Sequence, residues 1–176
     1  MGRLTQQLGT KPRQFVIVPF DDDTLKAEAR DFWEPAGIYR TKLSEFEDDM
    51  TQPQRTVLYV LAHSGRGVSF IASTGGEKLS AEQLVKYLAD GGLPSQILAV
   101  KIWACFSGVN GFAQEVKAKF LALEKGYNPI VVGYNEITGG PKDIAANDLH
   151  KHVFQLGPNN TRGPVIGRAS ANRNIF

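Results

Sequence analysis

Four apolar runs, at residues 15–20, 57–62, 97–104 and 129–134, alternate with stretches whose apolar residues repeat at helical spacing. Each run fits a buried strand. Strand, helix, strand, helix, strand in that order predicts a mostly parallel central sheet covered by helices on both faces, a three-layer α/β sandwich. The chain of 176 residues suits one domain and is long enough to bury a core without staples. Apolar residues make up 42% and charged residues 22%, which excludes disorder throughout, collagen and coiled coil.

The connecting segments carry their own signals. Asp21, Asp22 and Asp23 follow the first run and suit a helix start, because carboxylates favour the positive end of a helix. The helix expected over 24–33 is broken by Pro35 and Gly37. A second strand is expected over 38–43 and a helical turn over 44–50. Residues 63–67 read as a tight turn and 68–73 as a short half-buried strand. Ser80 and Gln83 have the spacing of a capping box, ahead of a helix with Leu84, Val85 and Leu88 on one face, stopped at Gly91 and Gly92. Phe112, Val116, Phe120 and Leu123 mark a further helix, closed by Gly126. This divides the chain into a flexible N-terminal segment (1–14), one α/β domain (15–156) and a loop-rich C-terminal tail (157–176).

The net charge of +2 is unevenly spread. Residues 21–49 hold ten acids, whereas no acid follows Asp148 and Lys151, Arg162, Arg168 and Arg173 do. The pattern reads as an acidic solvated face with basic ends. The tail lacks the interleaved aromatics of a single-strand nucleic-acid platform, so no nucleic acid is expected. No run of 18 apolar residues occurs, so no membrane span is expected, and the N-terminus lacks the apolar region of a cleaved signal peptide. The expected location is the cytoplasm, or outside the cell by a route without a cleaved signal. The single cysteine excludes an internal disulfide and a cysteine-built zinc site. His150 and His152 stand near Asp143 and Asp148, but their spacing matches no metal motif and reads as an exposed turn, so neither metal nor cofactor is expected. Gly-x-Ser-x-Gly and the nucleotide P-loop are absent, and Gly111 stands where a thiol phosphatase would keep arginine.

Chemistry in parallel sheets gathers at the carboxyl ends of the strands. His63 follows one buried run and Cys105 ends the next long one. If those strands are neighbours, their ends lie about 5 Å apart. A helix opening after 106–111 would favour the thiolate, the attacking species. The expected chemistry is acyl transfer, with Cys105 as nucleophile and His63 delivering a proton to the leaving amine. The amides of Gly65 and Cys105 are candidate donors to the oxyanion. Trp103, two residues before Cys105, either lines the substrate pocket or belongs to the core.

The segments Val60-Leu61-Ala62-His63-Ser64-Gly65 and Trp103-Ala104-Cys105-Phe106-Ser107-Gly108 resemble the caspase-like cysteine peptidases, which include caspases, legumain, gingipains and the self-cleaving peptidase domains of large bacterial toxins. Those families pair an apolar strand ending in His-Gly with a second ending in Ala-Cys, roughly 40–50 residues later; here the interval from 63 to 105 is 42 residues. The resemblance covers about 15–135 and implies a caspase-like fold, a Cys105–His63 dyad and a protein or peptide substrate. Ser64 departs from it, since the family has glycine directly after histidine, and the implied oxyanion donor is then the amide of Ser64 or of Gly65. In the family the residue two before the cysteine often shapes the first specificity pocket, and Trp103 there implies an uncharged or apolar residue before the cut. Some toxin members respond to a polyanion, inositol hexakisphosphate. Lys117, Lys119 and Lys125 share one expected helix, but they read as a solvated face and that cofactor is not carried over. Two other readings are a degenerate caspase-like domain serving as a binding or effector module for a host or other partner protein, and an unrelated flavodoxin-like domain with a structural cysteine.

Overall fold

The computed structural model describes residues 12–33, 38–39, 52–139 and 151–176. Its centre is a six-stranded sheet. Strands β1 (Arg13–Ile17), β2 (Ile38–Tyr39), β3 (Thr56–Leu61), β6 (Ala99–Trp103) and β7 (Ile130–Tyr134) run parallel, and the edge strand β11 (Arg173–Ile175) is antiparallel to β7. The order across the sheet is β11-β7-β6-β3-β1-β2. Every residue of β3 is buried, as a central strand covered on both faces requires.

Helix α1 (Asp23–Trp33) joins β1 to β2, α2 (Ala81–Asp90) stands between β3 and β6, and α3 (Phe112–Leu121) joins β6 to β7. The chain steps one way across the sheet from β1 to β2 and the other way from β3 through β6 to β7. Right-handed crossovers then put α1 on one face and α2 and α3 on the other, giving an α/β sandwich. Helix α2 opens with the expected capping box: Ser80 Oγ accepts from the Gln83 amide at 3.2 Å and Gln83 Oε1 accepts from the Ser80 amide at 2.9 Å. It buries Leu84, Val85 and Leu88, while α3 buries Phe112, Val116 and Phe120. Lys119 of α3 reaches Glu82 of α2 at 2.8 Å, and Lys117 donates to the Pro129 carbonyl. Lys125 lies beyond α3, which ends at Leu121 and not at Gly126.

Several expectations are corrected. The half-buried strand expected over 68–73 is confined to β4 (Phe70–Ala72), which forms an antiparallel hairpin with β5 (Lys78–Ser80). Residues 157–176 are not a loop-rich tail. They carry β10 (Arg162–Arg168) and β11, and β11 completes the central sheet. With β8 (Ile137–Gly139) and β9 (His152–Leu156), β10 forms a three-stranded antiparallel sheet. Gly163, Pro164 and Gly167 hide the strand signal of β10, and an edge strand tolerates them. His152 sits buried in β9, not in an exposed turn. The helical turn expected over 44–50, His150, most of the N-terminal segment and most of the strand expected over 38–43 lie outside the described residues. Among the described residues no helix is long and apolar enough to cross a membrane, and no His, Cys, Asp and Glu cluster could hold a metal ion.

Candidate active site

The site begins with register. Leu61, the last residue of β3, is paired with Trp103, the last of β6. Two residues further along the chain from each stand His63 and Cys105, beyond the ends of these adjacent strands at the carboxyl edge of the sheet. From there the two chains diverge. His63 forms an antiparallel bridge with Ala72 of β4, donating its amide at 2.9 Å and accepting at 2.8 Å. Cys105 enters a tight turn, because Phe106 adopts φ 58°, a left-handed conformation uncommon for an aromatic residue. The Phe106 amide donates to the Glu136 carbonyl at 3.2 Å.

The loop after Cys105 is held against β7 by close packing. Ser107 is wholly buried; its hydroxyl donates to the Ile102 carbonyl at 2.9 Å and accepts from the Tyr134 amide at 3.1 Å. The Gly108 amide donates to the Tyr134 carbonyl at 2.8 Å, and Asn174 of β11 donates to the Gly108 carbonyl at 2.8 Å. Gly108 and Gly133 pass so close that a Cβ on Gly108 would lie 2.7 Å from the Gly133 backbone. Only glycine allows that approach. The first amides of α3 are taken within this loop: that of Phe112 by the Asn110 side chain at 3.0 Å, that of Ala113 by the Ser107 carbonyl at 3.1 Å. They are therefore not directed at the thiol, contrary to the expectation that the helix start would favour a thiolate.

His63 is exposed, and its Nε2 lies 3.2 Å from Thr74 Oγ1. Thr74 is tied in turn to Asp22, which accepts from the Thr74 amide through Oδ2 and caps α1 by accepting from the Leu25 amide at 3.0 Å through Oδ1. Burial pushes the Asp22 pKa up. The amides of Leu25, Thr74 and Thr24 and the Thr74 hydroxyl outweigh that and hold it below its ordinary value. If the Thr74 hydroxyl donates to Asp22, its oxygen is left to accept from His63 Nε2–H in the tautomer protonated there. The lone pair of the imidazole then resides on Nδ1. Asp22 and Thr74 escaped the sequence reading; the one signal present was the acid run ahead of α1, which explains the cap and not the link to His63.

Cys105 is half-buried, and its Sγ lies 3.8 Å from Thr138 Oγ1. No hydrogen bond joins Cys105 to His63 among the described residues. The thiol opens onto a cleft of about 550 Å³. Cys105, Phe106, Ser64, Gly65 and Arg66 line it from the strand ends, and Ile137, Leu156 and Arg162 line it from the three-stranded sheet. The backbone N–H groups of Ser64, Gly65 and Cys105 donate to no described residue, so the oxyanion donors expected from the sequence are unengaged at the cleft.

Trp103 has a different place. It is 1% exposed and packs edge-to-face against Tyr59 at 6.5 Å and Tyr134 at 4.6 Å. It belongs to the core and is not among the residues lining the cleft. The turn at Ala104, whose amide donates to the Ile102 carbonyl at 2.9 Å, breaks the alternation that would have set Trp103 beside Cys105. No protein-family profile matches the chain, and no curated protein matches it by sequence.

Proposed function

We propose that the chain is a cysteine peptidase of the caspase-like kind, acting through Cys105 and His63. The observation that supports this reading is the register of β3 and β6, which puts positions 63 and 105 just beyond the paired ends of adjacent parallel strands, with Cys105 in the lining of a cleft beside unengaged amide donors. Nδ1 of His63 takes the thiol proton. The Cys105 sulfur attacks the substrate carbonyl carbon, and the amides of Gly65, Ser64 or Cys105 stabilise the oxyanion. The C–N bond then breaks, the imidazolium returns its proton to the leaving amine, and water hydrolyses the thioester to restore the thiol. Thr74 and Asp22 are positioning residues that fix the tautomer and orientation of His63. The absence of a Cys105–His63 hydrogen bond is compatible with this, because such bonds tighten once substrate is bound.

A second reading, a catalytically degenerate domain that binds a partner protein, draws on the engagement of Cys105 by Thr138 and of His63 by Thr74. Labelling with iodoacetamide at neutral pH separates the two. The peptidase reading expects fast alkylation of Cys105 that slows in His63→Ala, and loss of all peptide hydrolysis in a folded Cys105→Ala protein. Equal alkylation rates with and without His63, together with a biological effect that survives Cys105→Ala, would leave the binding module.

A further inference from the structure

The proposed reaction leaves unused a group of cations on one face of the central sheet. A Cβ at Gly133 would meet Ala113 of α3 at 2.7 Å, so position 133 faces that helix. Val132 and Tyr134, its neighbours along the strand, face the other way. Residues paired across strands share a face, which puts Lys101 with Val132 and Tyr59, and Arg173 with Tyr134, on the face turned away from α3.

Lys101 is half-buried in β6, and its Nζ donates to Tyr59 Oη at 3.2 Å. The same Nζ lies 5.0 Å from the ring centroid of Tyr59, and Lys151 Nζ lies 4.7 Å from that centroid. Lys151 also reaches Gln14 Oε1 at 3.4 Å. The charge of Arg173 is felt by Lys101, Tyr59 and Tyr134 alike. Among the described residues no carboxylate pairs with Lys101 or with Arg173. Positive charges gathered at a partly buried place without a counter-charge favour the neutral amine. Burial, with Arg173 adding to it, pushes Lys101 down to about 8. A share of its amine is therefore unprotonated and nucleophilic near neutral pH.

We propose that Lys101 is a carbamylation site, at which Nζ takes up dissolved carbon dioxide reversibly, with Arg173 and Lys151 supplying the counter-charge and the Tyr59 hydroxyl a donor. The Nζ lone pair bonds to the carbon of carbon dioxide, one C=O electron pair moves onto oxygen, and Nζ releases one proton to solvent. The products are –NH–COO⁻ and H⁺, and nothing is oxidised or reduced. The anion that the cations lack is then formed on the chain itself. This site stands apart from Cys105 and His63 and does not depend on the peptidase reading.

The test uses the full chain in isotope-labelled bicarbonate at about pH 8, close to where Lys101 titrates. Carbamates are trapped as esters with a trialkyloxonium salt before digestion and mass spectrometry, because the free adduct is lost in acid. The α-amino group, whose ordinary pKa is about 8, is the positive control for labelling. Label on the peptide spanning Lys101, with trypsin blocked at that residue, should exceed that on any exposed lysine about tenfold or more, given their far smaller share of free amine. Arg173→Gln should lower it severalfold, since the carbamate loses a charge-assisted partner. Bicarbonate should raise the Tm of the unaltered chain and not that of Lys101→Arg, which keeps the charge and cannot form the adduct. A labelled α-amino group beside an unlabelled Lys101, or label at Lys101 no higher than on exposed lysines, would overturn the proposal. So would label unchanged in Arg173→Gln. A Tm gain that persists in Lys101→Arg would show an anion merely lodged between the cations, and would overturn it too.

Discussion

Replacing Gly133 by alanine tests the packing that positions Cys105. The new Cβ would lie 2.6 Å from both Cα and N of Gly108 and 2.7 Å from Cβ of Ala113. The first two are backbone atoms and the third sits at the start of a buried helix, so no flexible side chain can swing away. Overpacking of this kind costs about 1–3 kcal/mol. Separating the loop from β7 also weakens the bonds that Tyr134 makes with Gly108 and Ser107, at about 1 kcal/mol each. A total near ~3 kcal/mol lowers Tm by about 6–12 °C in a chain of this size. Urea denaturation should move its midpoint by about 1.5 M, taking a slope of about 2 kcal/mol/M. Gly76→Ala is the control. Its φ is +87° but its Cβ meets no atom within 4 Å, so only backbone strain of roughly 1 kcal/mol is added. Differential scanning calorimetry on both variants should separate them clearly. A Gly133→Ala protein that melts within 2 °C of Gly76→Ala would refute the close approach and, with it, this account of how the loop after Cys105 is held.

Three further outcomes follow from the same geometry. Thr74→Val removes the acceptor for His63 Nε2–H and should lower kcat about tenfold with little change in KM, while Thr74→Ser restores it; a loss that serine fails to rescue would remove Thr74 from the positioning role. Ser107→Ala strips the Ile102 carbonyl and the Tyr134 amide of a buried partner, and chemical denaturation should register a loss of about 1–3 kcal/mol. Lys101 is pushed down to about 8 by burial, with the Arg173 charge adding to the effect. Its folded pKa is thus below the unfolded value of about 10.4, so the unfolded chain binds more protons between those limits and this residue's contribution to stability rises with pH across that window. Lys101→Met should melt higher than the unaltered chain at pH 7, and the gap should narrow by pH 9.5; a gap that does not change with pH would show that Lys101 is not desolvated.

The central strands were legible because burial on both faces leaves continuous apolar runs, and 57–62 and 97–104 read that way without help from the rest of the chain. The capping box at Ser80 and Gln83 was legible because its chemistry is local. The C-terminal strands were not. Arg173, Asn174 and Ile175 form an edge strand of three residues, too short for any alternation to declare itself, and β10 interrupts its pattern with two glycines and a proline. That miss extended to the site, because Leu156 and Arg162 reach the cleft only through this small sheet. That His63 and Cys105 follow adjacent parallel strands needed only chain order and the carboxyl-edge rule. The tie between Asp22 and Thr74 joins residues 52 positions apart through two loops, and no periodicity records such a contact.

Ser64 shows how one side chain can tie two loops together. It stands between His63 and Gly65, where the resembled peptidases have glycine directly after the histidine. In the structure its hydroxyl donates to the Phe70 carbonyl at 3.0 Å and accepts from Asn110 Nδ2 at 3.2 Å. The same Asn110 nitrogen makes a longer 3.5 Å contact with the Gly65 carbonyl, while Asn110 Oδ1 caps the start of α3. One amide side chain therefore couples the turn after His63 to the loop after Cys105. Displacing either segment would break bonds that the other depends on, so Ser64 braces the turn. A glycine at position 64 could make neither of these two side-chain hydrogen bonds. The amides of Ser64 and Gly65 stay unengaged because the bracing uses the Ser64 hydroxyl and the Gly65 carbonyl instead.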